Sequence, residues 1–105
     1  MQKDLKITRE GRGIVFYLSE DIDHHSARAL RGRIDGVIAE ERPREAVLDF
    51  SEVGFMDSSG IGLIIGRAEL ASHYGTDVVV RGVSNEIMRI VRLSGIERIK
   101  NVYIK

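Results

Sequence analysis

The side chains with the clearest chemical potential lie in one short segment, Phe55-Met56-Asp57-Ser58-Ser59-Gly60-Ile61-Gly62. A short apolar run, predicted to be a buried strand, precedes this segment, and a second apolar run, predicted to be a helix, follows it. Two hydroxyl groups are therefore expected where a helix begins. The first N–H groups of a helix lack intrahelical acceptors and the helix dipole is positive there, so a phosphate can be held at this position.

The same residues are also typical of an ordinary helix cap. Asp and Ser are favoured at such positions, and Gly permits backbone angles that other residues avoid. The sequence does not decide which hydroxyl points outward, and we assign Ser59 the capping or supporting role. Gly60 would allow the backbone of a partner to approach closely, and Ile61 fits either a core position or an exposed apolar contact.

Catalysis and metal binding are weaker interpretations of the polar residues. No Gly-x-Ser-x-Gly segment surrounds Ser58, and no base that would activate its hydroxyl can be identified. At Asp23-His24-His25 the adjacent histidines would point about 100° apart on a helix, and no Cys or Glu completes a ligand set. We therefore predict a protein without catalytic residues, metal ion or cofactor.

The composition is that of an ordinary soluble domain. The chain has 105 residues, of which 43% are hydrophobic and 30% charged, with no cysteine and a formal net charge of zero. These values argue against disorder, disulfides and a membrane span, and they provide no long-range attraction for nucleic acid or an anionic membrane. We expect a single domain over residues 1–105, located in the cytoplasm.

Three arginines in the first predicted helix also need an interpretation. Arg28, Arg31 and Arg33 alternate with apolar residues, as expected for the wet face of an amphipathic helix. Aromatic residues that would stack on nucleic-acid bases are not interleaved with them. The arginines therefore indicate solvated surface.

Strands and helices are predicted to alternate after an opening hairpin, which favours an α/β fold with helices packed against a mixed sheet. Asp23 is expected to cap the first helix, which Pro43 ends, and Ser84 to cap the third. In that third helix Ile87, Ile90 and Val91 are expected to face inward. The predicted strands are 5–9, 14–18, 45–50, 77–81 and 101–104, and the predicted second helix ends near 74–75.

Several segments together resemble the bacterial anti-sigma factor antagonists. The resemblance covers nearly the full chain, and its most specific part is the Met-Asp-Ser-Ser-Gly run at 56–60. It implies the STAS fold, a mixed central β-sheet with an N-terminal hairpin and helices packed against it. The other matching segments are Asp23-His24-His25 with the Ala27 and Leu30 that follow, Ile65-Gly66-Arg67 and Leu93-Ser94-Gly95-Ile96.

The resemblance also implies a function. A family member binds an anti-sigma factor that is itself a serine protein kinase of the histidine-kinase-like ATPase type, and binding releases the sigma factor. The kinase phosphorylates one serine, matched here by Ser58, the complex separates, and a serine phosphatase of the PP2C type reverses the modification. The implied partner surface comprises Asp23, Asp57, Ser58, Ser59, Gly60 and Ile61.

Two departures from the family pattern bear on these expectations. Glu20 occupies a place where relatives commonly have Gly, which adds negative charge near the implied interface. Relatives usually continue into a C-terminal helix after the last strand, whereas this chain ends at Ile104-Lys105, so the helix is expected to be absent and self-association as a homodimer is possible. The alternative function keeps the fold and places it in a general stress pathway or in a signalling scaffold.

Overall fold

The computed structural model describes residues 5–105, which form five strands and three α-helices. Within this range the alternation of elements agrees with the sequence prediction. The elements in chain order are β1 (Lys6–Glu10), β2 (Gly13–Tyr17), α1 (His24–Glu41), β3 (Glu45–Asp49), α2 (Ser58–Ser72), β4 (Asp77–Arg81), α3 (Asn85–Ser94), a 3₁₀ turn (Ile96–Arg98) and β5 (Val102–Ile104).

The five strands form one mixed sheet in the order β1-β2-β3-β4-β5. β1 and β2 are antiparallel and form the predicted hairpin, whereas the β2–β3, β3–β4 and β4–β5 pairs are parallel. Each parallel pair is joined by a crossover, and crossovers in parallel sheets are almost always right-handed. Because the strands follow one another in order across the sheet, all three crossovers fall on the same face.

That covered face contains the main core. Alternate strand residues such as Phe16, Leu48 and Val80 point toward the helices and are completely buried. Ile34 and Ile38 of α1 pack into the same cluster. On the opposite face Val15, Val47 and Val79 form a second, smaller cluster against which Tyr17 packs. The period of two along each strand is what separates these two sets.

One inward-facing residue of α3 was predicted wrongly. Ile87 and Val91 are buried as expected, but Ile90 remains 36% exposed. Val91 follows Ile87 by one turn of the helix and lies on its face, whereas Ile90 lies on the edge of that face.

Two further observations concern whole segments. Within residues 5–105 the last element is β5, and no helix follows it. No helix in the described part of the chain is long and apolar enough to cross a membrane.

Candidate partner-binding and phosphorylation site

The site is assembled by two loops that meet at the carboxyl edge of the parallel strands. A parallel bridge pairs Ile22, in the loop before α1, with Met56, in the loop before α2. The Ile22 amide donates to the Phe55 carbonyl at 2.9 Å, and the Asp57 amide donates to the Ile22 carbonyl at 3.1 Å. Both bridging side chains are buried. Main-chain bonds and core packing therefore place the first residue of α1 beside the first residue of α2.

Asp23 caps α1, as predicted. Its carboxylate accepts from the Ser26 amide at 2.9 Å, and its own amide donates to the Ser26 hydroxyl at 3.0 Å, which forms a capping box. The hydrogen bond from the Ser26 amide is the largest cause of a lowered pKa for Asp23. Asp23 is exposed to solvent, and its lowered pKa keeps the carboxylate ionised at neutral pH.

The cap of α2 is Asp57 rather than Ser59. The Asp57 carboxylate accepts from the Ser59 amide at 2.8 Å, so Ser59 contributes a backbone donor and not a capping hydroxyl. The capping role for Ser59 is therefore wrong, and its supporting role stays a prediction. Asp57 is favoured because its side chain reaches a free amide of the first turn and its charge complements the helix dipole. One of the amides that could hold a phosphate is thus already bonded.

The two serines face different surroundings. Successive residues leave a helix about 100° apart, and the structure places Ser58 in solvent and Ser59 partly buried in the groove between α1 and α2. Within residues 5–105 the Ser58 hydroxyl has no hydrogen-bond partner. The hydroxyl that a second protein can reach most directly is therefore that of Ser58.

Gly60 and Ile61 point into the protein, which changes how they can contribute to a partner surface. Gly60 is buried, and an added Cβ would overlap the Met56 side chain. Its small size therefore makes room for Met56, and close approach by the backbone of a partner stays a prediction. Ile61 is only 9% exposed and belongs to the core cluster, so little of its side chain is available outside.

Sequence reasoning missed two exposed apolar side chains near Ser58. Phe55 is 53% exposed in the loop before α2, and Ile65 is 41% exposed. Ile65 follows Ser58 by seven residues, which is close to two helical turns, so both lie on one face of α2. A helical projection of 58–72 would have shown that Ile65 lies outside the face formed by Ile61, Ile64 and Ala68.

The histidines provide no evidence for a metal site. Within the described residues no group of three or more His, Cys, Asp or Glu side chains is arranged to hold a metal ion. His24 and His25 are the first two residues of α1, and both are exposed.

The sequence profile described as STAS domain matches residues 4–104, which is nearly the whole chain. An anti-sigma F factor antagonist from Paenibacillus polymyxa is 33% identical over 93 residues, covering 88% of this chain and 80% of the relative. An anti-sigma-B factor antagonist from Bacillus subtilis is 22% identical over 105 residues, covering 100% of this chain and 94% of the relative. The chain belongs to the STAS-domain family of anti-sigma factor antagonists.

Solved structures agree with the assigned fold. The anti-sigma factor antagonist SpoIIAA in its unphosphorylated form superimposes with a TM-score of 0.73 at 20% identity, covering 97% of this chain and 87% of that chain. The phosphorylated form of the Bacillus cell fate determinant SpoIIAA gives a TM-score of 0.72 at 22% identity, covering 97% and 91%. The resemblance inferred from the sequence, and the STAS fold that it implied, are thereby confirmed.

Proposed function

We propose that the unphosphorylated chain binds an anti-sigma factor that is a serine protein kinase of the histidine-kinase-like ATPase type. Binding frees the sigma factor, and phosphorylation of Ser58 by that kinase ends the interaction. A PP2C-type phosphatase returns the chain to its binding state. In this cycle the chain acts as a binding partner and a substrate, and the kinase supplies nucleotide, Mg²⁺ and base.

The main support is the setting of Ser58. Ser58 is exposed at the first residue of α2, directly after the cap Asp57, and the bridge between Ile22 and Met56 brings the loop that carries Asp23 alongside. Phe55 and Ile65 provide exposed apolar area around it. Apolar anchors beside a few polar groups are a common composition for a protein interface.

Phosphorylation at this position changes the charge of the surface strongly. A phosphoserine adds about −1.5 to −2 charges, here next to Asp57, whose carboxylate already occupies the Ser59 amide. A desolvated phosphate or a like-charge contact at an interface costs several kcal/mol, and each 1.4 kcal/mol is about a factor of ten in affinity. We expect the affinity for the kinase to fall at least about a hundredfold.

The switch is expected to act locally and to leave the fold intact. Ser58 is exposed, so an added phosphate displaces no core side chain. The comparable TM-scores to the unphosphorylated and phosphorylated forms of SpoIIAA, 0.73 and 0.72, support this expectation at the level of the fold.

A second candidate function keeps the binding mode and changes the pathway. The relatives described above are named for two different sigma factors, F and B. A role in a sporulation-type pathway and a role in a general stress pathway therefore both fit, as does a STAS-domain signalling scaffold.

The proposal can be tested by reconstituting the switch. The chain is co-purified with the products of its neighbouring genes to find a kinase-like anti-sigma factor that binds it. ATP and Mg²⁺ are then added, and the peptide carrying both serines is analysed by mass spectrometry. We expect phosphate on Ser58 and dissociation of the complex. Size-exclusion chromatography monitors the dissociation.

Ser58→Ala and Ser59→Ala form a matched pair for this experiment. Ser58→Ala should bind the kinase and remain bound after ATP addition, whereas Ser59→Ala should be phosphorylated and released. Release of Ser58→Ala by ATP, or phosphate on Ser59 alone, would show that the proposed switch is wrong.

A further inference from the structure

A groove of about 380 Å³ runs between α1 and α2, and it borders the face of α2 that carries Ser58, since the lining residue Gly62 follows Ser58 by one helical turn. Its floor is made by the small residues Ser59, Gly62 and Gly66, which recur every three to four positions and so share one helix face. An added Cβ at Gly62 or Gly66 would meet no atom within 4 Å. The glycines therefore leave an open channel here and do not serve close helix packing.

The groove is strongly basic. Arg28 and Arg31 line it from α1 and Arg67 from α2, together with His24. Arg67 is only 5% exposed, and its ion pair with Asp35 at 2.5 Å is the one acidic contact of the three arginines within residues 5–105. Of the three guanidinium groups, only that of Arg67 is paired with a carboxylate within residues 5–105.

The energetics of Arg67 are consistent with an incompletely neutralised site. Burial is the largest influence on its pKa and lowers it, the Asp35 carboxylate opposes that effect, and the charge of Arg31 lowers the pKa further. Two like charges are therefore held within electrostatic range of each other. An anion between Arg31 and Arg67 would remove that repulsion.

We propose that this groove binds a small phosphate-bearing ligand with two or more negative charges. Its donors come from two helices and include a serine hydroxyl, an arrangement that suits a tetrahedral anion better than a planar carboxylate. No Phe, Tyr or Trp side chain lines the groove, whose single aromatic ring is the imidazole of His24. The ligand class is a compact phosphorylated molecule.

Pyrophosphate is the probe that tests this site. It is titrated into the full chain in buffer containing EDTA at constant ionic strength, and binding is followed by calorimetry and by amide chemical shifts. We expect saturable binding with a Kd below roughly 1 mM, with the largest shifts at Ser59, Gly62 and Gly66. Citrate has a similar charge, but it carries that charge on planar carboxylate groups. It should bind at least about tenfold more weakly than pyrophosphate.

The double variants Arg28→Gln/Arg31→Gln and Arg89→Gln/Arg92→Gln are matched controls. Both remove two positive charges three residues apart from an exposed helix surface, but only the first pair lines the groove. The first should weaken pyrophosphate binding at least about tenfold, and the second should leave it unchanged. No saturation by roughly 10 mM pyrophosphate, equal weakening by both variants, or citrate binding as tight as pyrophosphate would overturn the proposal.

Discussion

At the scale of single residues, Gly60 and Gly62 of α2 have opposite roles. Gly60 lies against Met56 and has no space for a methyl group, whereas Gly62 faces the open groove. The same chemical change at positions two residues apart should therefore have effects of opposite sign.

We expect Gly60→Ala to lower the free energy of unfolding by about 1–3 kcal/mol, because the methyl group forces Met56 out of its packed position. Gly62→Ala should raise it by up to about 1 kcal/mol, because alanine is the better helix former and nothing obstructs its side chain. Chemical denaturation of both variants provides the measurement. If Gly60→Ala proved as stable as Gly62→Ala, the described contact with Met56 would be incorrect.

At the same scale, the sequence indicated which residues lie at the helix starts better than it indicated where their side chains point. Asp23, Asp57 and Ser58 could be selected because capping preferences and helix-terminus electrostatics depend on short segments. The capping role offered for Ser59 was wrong, and the packing of Gly60 against Met56 was not foreseen, because both depend on contacts with Asp57 and Met56 that the residue types alone do not specify.

At the scale of elements, α1 and α2 are joined by an ion pair at the end of the basic groove. Arg67 is buried in α2, and Asp35 of α1 lies 2.5 Å from its Nε atom. Arg67 also donates to the Leu63 carbonyl, although at 3.4 Å this is a long hydrogen bond. Asp35 is thus the main partner of a charge that water reaches poorly.

Removing Asp35 alone should lower the free energy of unfolding more than removing both members of its ion pair with Arg67. We expect Asp35→Asn to lower the free energy of unfolding by about 2–4 kcal/mol, since it leaves a buried guanidinium without a counter-charge. Asp35→Asn/Arg67→Met should recover about half of that loss or more, because methionine fills similar space without a charge. Urea denaturation of wild type, both single variants and the double variant gives the coupling energy, and a purely additive cycle would contradict this account.

The order and type of elements were predictable because each strand is short and bounded by turn residues, and because Asp23 and Ser84 mark two helix starts. The groove was not predictable. Arg28 and Arg31 have the spacing of a solvated helix face, and only the packing of α1 beside α2 brings them near Arg67. The one available signal was Arg67 itself, because α2 consists of small and apolar residues apart from Arg67 and Glu69.

At the scale of the whole molecule, Asp49 links the sheet to the loop before α2. Its carboxylate accepts from Arg81 at 2.8 Å and from the Ser51 amide at 2.9 Å, and the residue is nearly buried. Burial raises the pKa of Asp49, but the hydrogen bonds from Arg81 and Ser51 outweigh it and the net pKa is lowered.

This pKa shift predicts how stability depends on pH. A carboxylate whose pKa is lower in the folded state stabilises the fold above its unfolded pKa of about 3.9, and this contribution is lost as pH falls through the folded pKa. We expect Asp49→Asn to cost about 1–3 kcal/mol at pH 7 and to flatten the decline in stability below about pH 4.

Thermal or urea unfolding between pH 2 and 7 measures this dependence, with Asp77→Asn at the opposite end of the parallel strands as the control. Asp77→Asn removes a carboxylate that has no ion pair within residues 5–105 and should preserve the acid decline. If both variants weakened the decline in stability at acid pH equally, Asp49 would not be the main source of that decline.

The bridge between Ile22 and Met56 also bears on how such proteins diversify. Ser58 and Asp23 are positioned by backbone bonds and two buried side chains, whereas the neighbouring Asp21, Gly54 and Phe55 are exposed. In the proposed cycle, substitutions at Gly54 and in the Phe55 side chain can alter which kinase is recognised without displacing Ser58, whereas Asp21 also accepts from the Phe55 amide at 3.1 Å. A duplicated copy of this protein could therefore acquire a new partner while retaining the proposed phosphorylation cycle, which would allow several insulated switches to operate in one cell.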